Sequence, residues 1–253
     1  MKYLSLVIYV IMIIVNLLIN LMKKADIVEN NIIKSYSNLL IPTNITNVII
    51  PIVYLGLLLY ILYSIDIIEN ENTREERRIF NNINLIFASN MILNIFWNIF
   101  NYYNKIFASV LIMILMLFTL YKISFIINDF TLDERQNIFI KIPFNLYFGV
   151  ITVSSIINVL ALFVDLGLKP FNVFAIIISS ILLILGIIIS IYFFKTNRDG
   201  IYILAVAWIY IGIFINQVSE NGFNRNFPLL IFIGISSILV LFYVLFKEKR
   251  IIS

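Results

Sequence analysis

Eight long apolar runs, separated by short clusters of charged residues, dominate the sequence. A helix needs about 20 apolar residues to cross the hydrocarbon core of a bilayer, and each run has roughly that length. A mean hydropathy of +1.01 also lies outside the range of soluble domains. The pattern predicts an all-α, polytopic membrane helix bundle with about eight transmembrane helices, for which the lipid bilayer is the main partner. The predicted spans are Tyr3–Met22, Asn47–Ile65, Ile83–Tyr103, Ile106–Ile127, Phe144–Val164, Phe174–Phe194, Ile201–Gln217 and Phe227–Phe246.

Local signals mark two of the span boundaries. The third and fourth spans share only the short turn Tyr102–Lys105. Before the fifth span, Thr131-Leu-Asp-Glu134 fits a capping box, in which the hydroxyl and the carboxylate satisfy free N–H groups at a helix start. Pro143 then falls near the predicted start of that span, where a missing N–H costs little.

Lysine and arginine are distributed unequally between the two sides that eight spans define. Cytoplasmic loops of membrane proteins carry an excess of these residues. With both termini in the cytoplasm, twelve of the 18 basic residues lie on the cytoplasmic side and six on the other. We therefore predict a multi-pass protein of the cell membrane with both termini cytoplasmic, although Lys23 and Lys24 give the opposing signal. The twelve are Lys2, Arg74, Arg77, Arg78, Lys122, Arg135, Lys141, Lys195, Arg198, Lys247, Lys249 and Arg250.

The inventory of reactive side chains is poor. The chain has no cysteine and no histidine, so thiolate nucleophiles, imidazole bases and the usual zinc ligands are excluded. Asp, Glu, Lys and Arg are also absent from the middle of every predicted span, where proton-coupled and ion-driven transporters usually keep one. We expect no enzymatic activity, no metal and no cofactor. Because the basic residues are scattered among loops, we expect no nucleic-acid partner either.

A stripe of polar residues on the third span is the main candidate for function. At 100° per residue, the stripe occupies a sector of about 100°, the width of one helix face. The opposite side is apolar and predicted to face lipid. Interhelical hydrogen bonds from asparagine commonly hold membrane bundles together, so the stripe either joins helices or lines a cavity. The stripe consists of Asn90, Asn94, Trp97, Asn98 and Asn101, and the opposite side of Ile92, Ile95, Phe96 and Ile99.

The same residues carry a resemblance to a known family. Leu93-Asn94-x-x-Trp97 followed by Asn101-Tyr102 resembles the Leu-Asn-x-x-Trp-x-x-x-Phe-Phe signature of translocator proteins, also called tryptophan-rich sensory proteins or the TspO/MBR family. Ile50-x-x-x-Tyr54 resembles the Trp-x-x-x-Tyr of the second family helix. Pro143-Phe144-x-x-Tyr147 with the later Asn158 resembles the motif of the fifth.

The match is closest to long bacterial members with extra C-terminal helices. These have segments similar to Pro143-Phe-Asn-Leu-Tyr-Phe-Gly149 and to Ala207-Trp208-x-x-x-Gly212. The resemblance implies a TspO-like five-helix core in residues 1–167, followed by three additional transmembrane helices and a short cytoplasmic tail in residues 168–253. The chain departs from the family where Ile50 and Val150 replace tryptophans and where a Lys-Pro-x-Trp-x-Pro-Pro loop is reduced to Ile41-Pro42.

The resemblance implies a protein that binds a hydrophobic small molecule, with a porphyrin as the candidate, in a sensory or transport role. Aromatic side chains of such a site would stack on the ligand, and amides would orient its polar edge. A membrane-embedded permease subunit of a transporter is the alternative, and a purely structural subunit is a third; a homodimer also remains open. The predicted ligand-binding residues are Tyr54, Asn94, Trp97, Tyr147 and Asn158.

Overall fold

Helices account for all regular structure in the described part of the chain. The computed structural model describes residues 3–30, 38–65, 67, 74–130, 132–197 and 199–247, with the side chains of 24–30 and 74–77 left out. A short 3₁₀ helix, Asn44–Val48, precedes the second long helix. The eight long helices are α1 (Leu4–Asn30), α2 (Ile49–Ser64), α3 (Arg74–Tyr102), α4 (Ile106–Asn128), α5 (Glu134–Asp165), α6 (Val173–Asn197), α7 (Gly200–Val218) and α8 (Pro228–Lys247).

All eight helices are long and apolar enough to cross a membrane. Each one overlaps a predicted span, so the predicted number of spans is confirmed, as is the all-α polytopic fold class. Outward-facing side chains on these helices are mostly large and apolar, as the lipid-facing surface of a bundle requires. The protein is therefore a multi-pass membrane protein.

The boundary between α3 and α4 is a helix C-cap built on Asn104. Its φ of 56° lies in the left-handed region, which asparagine tolerates better than most residues. Lys105 N donates to Phe100 O at 2.8 Å, and Asn104 N donates to Asn101 O at 3.4 Å, which together form a Schellman motif. The predicted break at Tyr102–Lys105 is confirmed, and Asn104 serves the turn.

The start of α5 differs from the prediction. The N-cap is Asp133, whose carboxylate accepts from Gln136 N at 2.6 Å while Gln136 Oε1 accepts from Asp133 N at 3.1 Å. The capping box thus uses Asp133 and Gln136; Thr131 lies outside the described residues. Asp at the N-cap and Gln three residues later fill the same two roles as Thr and Glu, so the sequence contains two overlapping candidate pairs.

Pro143 lies inside α5 rather than at its start, which corrects the predicted span boundary at Phe144. A proline within a helix removes one N–H and clashes with the carbonyl four residues earlier. The turn before it, Asn137–Lys141, is π-helical, so the local hydrogen-bond register is already shifted to accommodate the ring. Gly56 of α2 packs against this proline, where an added Cβ would lie 3.3 Å from Pro143 Cβ.

The chain forms two compact units. The first comprises Met1–Ile33 and Ile52–Phe144, and the second comprises Lys34–Pro51 and Asn145–Ser253. In the first unit, α3 packs against α1 and α4. In the second unit, α6, α7 and α8 pack against one another. The division at residue 167 into a five-helix core and three added helices stays a prediction.

Each unit has its own aromatic core. In the first, the rings of Tyr60, Phe87 and Phe144 meet edge to face at 4.7 to 5.8 Å between centroids. In the second, Phe148 meets Phe193 at 4.5 Å and Tyr202 at 5.4 Å. Such pairs contribute about 0.5–1.5 kcal/mol each beyond the area they bury.

Candidate functional site

The polar face of α3 points into the first unit. Asn90 and Asn94 are 0% and 2% exposed, whereas Ile92 and Phe96 on the other side are 41% and 46% exposed. Asn98 is also buried. The predicted separation of a polar inner face from an apolar outer face is confirmed for these residues.

Asn90 joins α3 to α4. Its side-chain nitrogen donates to the main-chain oxygen of Met116 at 3.1 Å and to Thr119 Oγ1 at 2.7 Å. Thr119 in turn donates to the same Met116 oxygen at 2.8 Å. For Asn90, the interpretation that the asparagines hold helices together is therefore correct.

Asn94 and Asn98 both contact Asn16 of α1, a residue outside the predicted ligand-binding set. Asn16 Nδ2 donates to Asn94 Oδ1 at 2.9 Å and to Tyr54 Oη at 3.0 Å. Asn98 Nδ2 donates to Asn16 Oδ1 at 2.8 Å. Asn16 is buried and uses three of its four hydrogen-bonding positions here. We call Asn16, Tyr54, Asn94 and Asn98 the amide cluster.

The amide cluster brings together two of the five predicted site residues. Asn16 links Tyr54 and Asn94, because its side-chain nitrogen donates a hydrogen bond to each of them. Tyr9 of α1 strengthens the arrangement, because its hydroxyl donates to the main-chain oxygen of Tyr54 at 2.7 Å. The signal that could have found Asn16 is the one that found Asn94, an amide in the middle of an apolar run.

The indole N–H of Trp97 is a hydrogen-bond donor for which the described residues provide no acceptor. Its ring is half-buried, and its indole nitrogen is fully buried, yet Nε1 has no partner among the residues that the structure describes. An indole N–H can only donate, and a buried one usually finds an acceptor. A ligand carrying an acceptor would relieve this cost, which is about 1–3 kcal/mol for an unsatisfied buried group.

The remaining predicted residues, Tyr147 and Asn158, belong to α5 in the second unit. Both are buried, at 3% and 7% exposure. Ser155 of the same helix donates to Ile151 O one turn earlier at 2.7 Å. A cavity shared by Tyr147 and Asn158 with the residues of the first unit stays a prediction.

The second unit contains a strap, residues 38–48, that runs antiparallel along α7. Near the start of the strap, Gln217 Nε2 donates to Leu39 O at 2.6 Å and Asn216 Nδ2 to Ile41 O at 2.8 Å. Further along, Thr43 N donates to Gly212 O at 3.1 Å, and Trp208 Nε1 donates to Thr46 O at 3.1 Å. Successive strap residues thus contact α7 one after another toward its N-terminus.

Gly212 makes this close approach possible. A Cβ at that position would collide with Thr46 Oγ1 and would lie 3.1 Å from Thr46 Cβ and 3.2 Å from Pro42 Cβ. The segment Ala207-Trp208-x-x-x-Gly212 and the reduced loop Ile41-Pro42 are therefore two halves of one packing arrangement.

Comparison with known protein families identifies the chain. A family model for TSPO-like proteins matches residues 2–246, nearly the whole sequence. The chain belongs to the TSPO-like protein family. No curated protein and no solved structure gives a significant match.

In this TSPO-like protein, the motif Leu93-Asn94-x-x-Trp97 has two distinct structural roles. Asn94 is tied into the amide cluster, whereas Trp97 keeps its N–H unused by the described residues. Ile50, at the position of a family tryptophan, is 39% exposed. On α3, Trp97 thus keeps an aromatic N–H for which the described residues provide no acceptor.

Proposed function

We propose that this TSPO-like protein binds a hydrophobic, flat small molecule of the porphyrin type within its helix bundle, in a sensory or transport role. The observation that carries the proposal is the buried indole N–H of Trp97, which has no acceptor in the described part of the chain. Family membership supports the same site, because Trp97 belongs to the signature motif. Of the predicted site residues, the proposal rests on Tyr54, Asn94 and Trp97 of the first unit, and the roles of Tyr147 and Asn158 stay predictions.

We further propose that the protein is a binder without enzymatic activity. The chain has neither histidine nor cysteine, and no charged residue occupies the middle of a span, so general acid–base and thiolate chemistry lack their usual groups. The protein would sit in the cell membrane with both termini cytoplasmic, as the distribution of Lys and Arg favours.

The experiment uses the two tryptophans as a matched pair. Trp97→Phe and Trp208→Phe make the same chemical change, but Trp208 donates to Thr46 O in the second unit and is occupied. Binding of protoporphyrin IX to purified protein is followed by porphyrin absorbance. Trp97→Phe should weaken binding while leaving thermal stability nearly unchanged, because it removes a donor without a protein partner. Trp208→Phe should retain the affinity.

A second readout checks that the ligand reaches Trp97. In the Trp208→Phe protein, the only remaining tryptophan is Trp97, and bound porphyrin should shield it from an aqueous quencher. Equal affinity losses in the two variants, or no saturable porphyrin binding by the unmodified protein, would refute the proposed site.

A further inference from the structure

Contacts between Asn98 and Asn94 indicate the direction of the hydrogen bonds in the amide cluster. Asn98 Nδ2 lies 3.4 Å from the main-chain oxygen of Asn94, which can only accept, and 3.5 Å from Asn94 Oδ1, so the nitrogen of the Asn98 amide faces that side. The same nitrogen donates to Asn16 at 2.8 Å, which must therefore present its oxygen. The nitrogen of Asn16 is then turned toward Tyr54 and Asn94.

This direction decides what the Tyr54 hydroxyl can do. Asn16 Nδ2 lies 3.0 Å from Tyr54 Oη, and an amide nitrogen only donates, so the hydroxyl oxygen accepts. The hydroxyl hydrogen must point away from Asn16. Among the described residues none accepts it, since the contact with Asn16 is the one hydrogen bond that the Tyr54 side chain makes. Tyr54 thus holds an unused donor inside an apolar bundle.

We propose that Asn16 is a positioning residue: by occupying the oxygen of Tyr54, it holds the hydroxyl as a donor and makes the site selective for ligands with a hydrogen-bond acceptor, such as a carboxylate, at their edge. The inference rests on the proposed function and specifies the ligand chemistry. In the reversed arrangement, in which Asn16 accepts from Tyr54, the Tyr54 hydroxyl would have no donor to offer a ligand. The Asn94 carbonyl disfavours that arrangement, because it would place the oxygen of Asn98 against another oxygen.

The binding test compares two porphyrins of similar size. Protoporphyrin IX carries two carboxylates, whereas etioporphyrin carries only alkyl groups. We expect the ratio of their affinities to fall roughly 3- to 20-fold in Asn16→Leu and in Tyr54→Phe, the range for one interhelical hydrogen bond in a membrane protein. The double variant should lose no more than Tyr54→Phe alone, because Asn16 acts on the ligand only through the Tyr54 hydroxyl.

Asn20→Leu is the matched control for the binding test. Asn20 lies one turn further along α1 and is exposed, whereas Asn16 is buried. Asn20→Leu should show the same ratio of porphyrin affinities as the unmodified protein. Lower stability alone would weaken the binding of both porphyrins together and leave the ratio unchanged.

A ligand-free measurement tests the direction of the bond separately. The tyrosine doublet in ultraviolet resonance Raman spectra distinguishes a hydroxyl that accepts from one that donates. The difference between the unmodified protein and Tyr54→Phe should show an accepting hydroxyl, and Asn16→Leu should remove that signature. A donating signature would overturn the inference. So would porphyrin binding in which Asn16→Leu leaves the ratio of the two porphyrin affinities unchanged. Absence of any porphyrin binding would instead refute the proposed function, with the Raman result still deciding the direction.

Discussion

Replacing Gly212 by alanine should loosen the strap from α7. The new Cβ would lie 3.1 Å from Thr46 Cβ and 3.2 Å from Pro42 Cβ, in addition to its collision with Thr46 Oγ1. Rotating the Thr46 hydroxyl relieves only the last of these contacts, so the strap backbone must move. We expect the hydrogen bonds Thr43 N to Gly212 O and Trp208 Nε1 to Thr46 O to lengthen or break.

The magnitude follows from a matched comparison with Gly234→Ala in α8. At Gly234 the nearest atoms to an added Cβ are 3.7 Å away, which is ordinary van der Waals contact. Both changes gain about 1 kcal/mol of helix propensity, so this contribution cancels between them. The difference that remains is the cost of overpacking at Gly212, about 1–3 kcal/mol.

The assay combines stability with a local reporter. Equilibrium unfolding of both variants in detergent gives the difference in free energy. In a Trp97→Phe background, Trp208 is the only tryptophan and reports the strap directly. Gly212→Ala should shift its emission and Gly234→Ala should not. Equal stabilities, together with an unchanged Trp208 spectrum in both, would show that the strap is not held at Gly212.

Three further predictions concern the rest of the molecule. Asn16→Leu removes three side-chain hydrogen bonds and should lower the free energy of unfolding by about 2 kcal/mol. The control Asn20→Leu should change the free energy of unfolding by less than about 0.5 kcal/mol. Equal effects of the two substitutions would contradict a stabilising role of the amide cluster. Reporter fusions at Ser253 and between residues 31 and 37 should report opposite sides of the membrane, because one span separates the N-terminus from that loop and the termini share a side. Purified protein should not turn over a porphyrin or lipid in the dark, and contaminant-free turnover would contradict the proposed lack of enzymatic activity.

The sequence alone determined the membrane fold. Hydropathy counts apolar residues along the chain, and the hydrocarbon thickness fixes how many a span needs, so eight runs predict eight helices without any knowledge of tertiary contacts. The inner face of α3 was also predictable, since an angle of 100° per residue depends only on helix geometry. The resemblance to the family was visible in Leu93-Asn94-x-x-Trp97 and in the motifs of the second and fifth spans, which occur in the family's order along the chain.

Only the tertiary structure decided what the polar residues do. Periodicity places Asn90 and Asn94 on one face but cannot name their partners, which come from α4 and α1 through packing. Hydropathy likewise treats Asn16 as one amide in an apolar run, although three hydrogen bonds converge on it. Whether an asparagine joins helices and a tryptophan keeps a free donor depends on atoms brought within about 3 Å by the fold. Such distances are set by contacts between residues far apart in sequence.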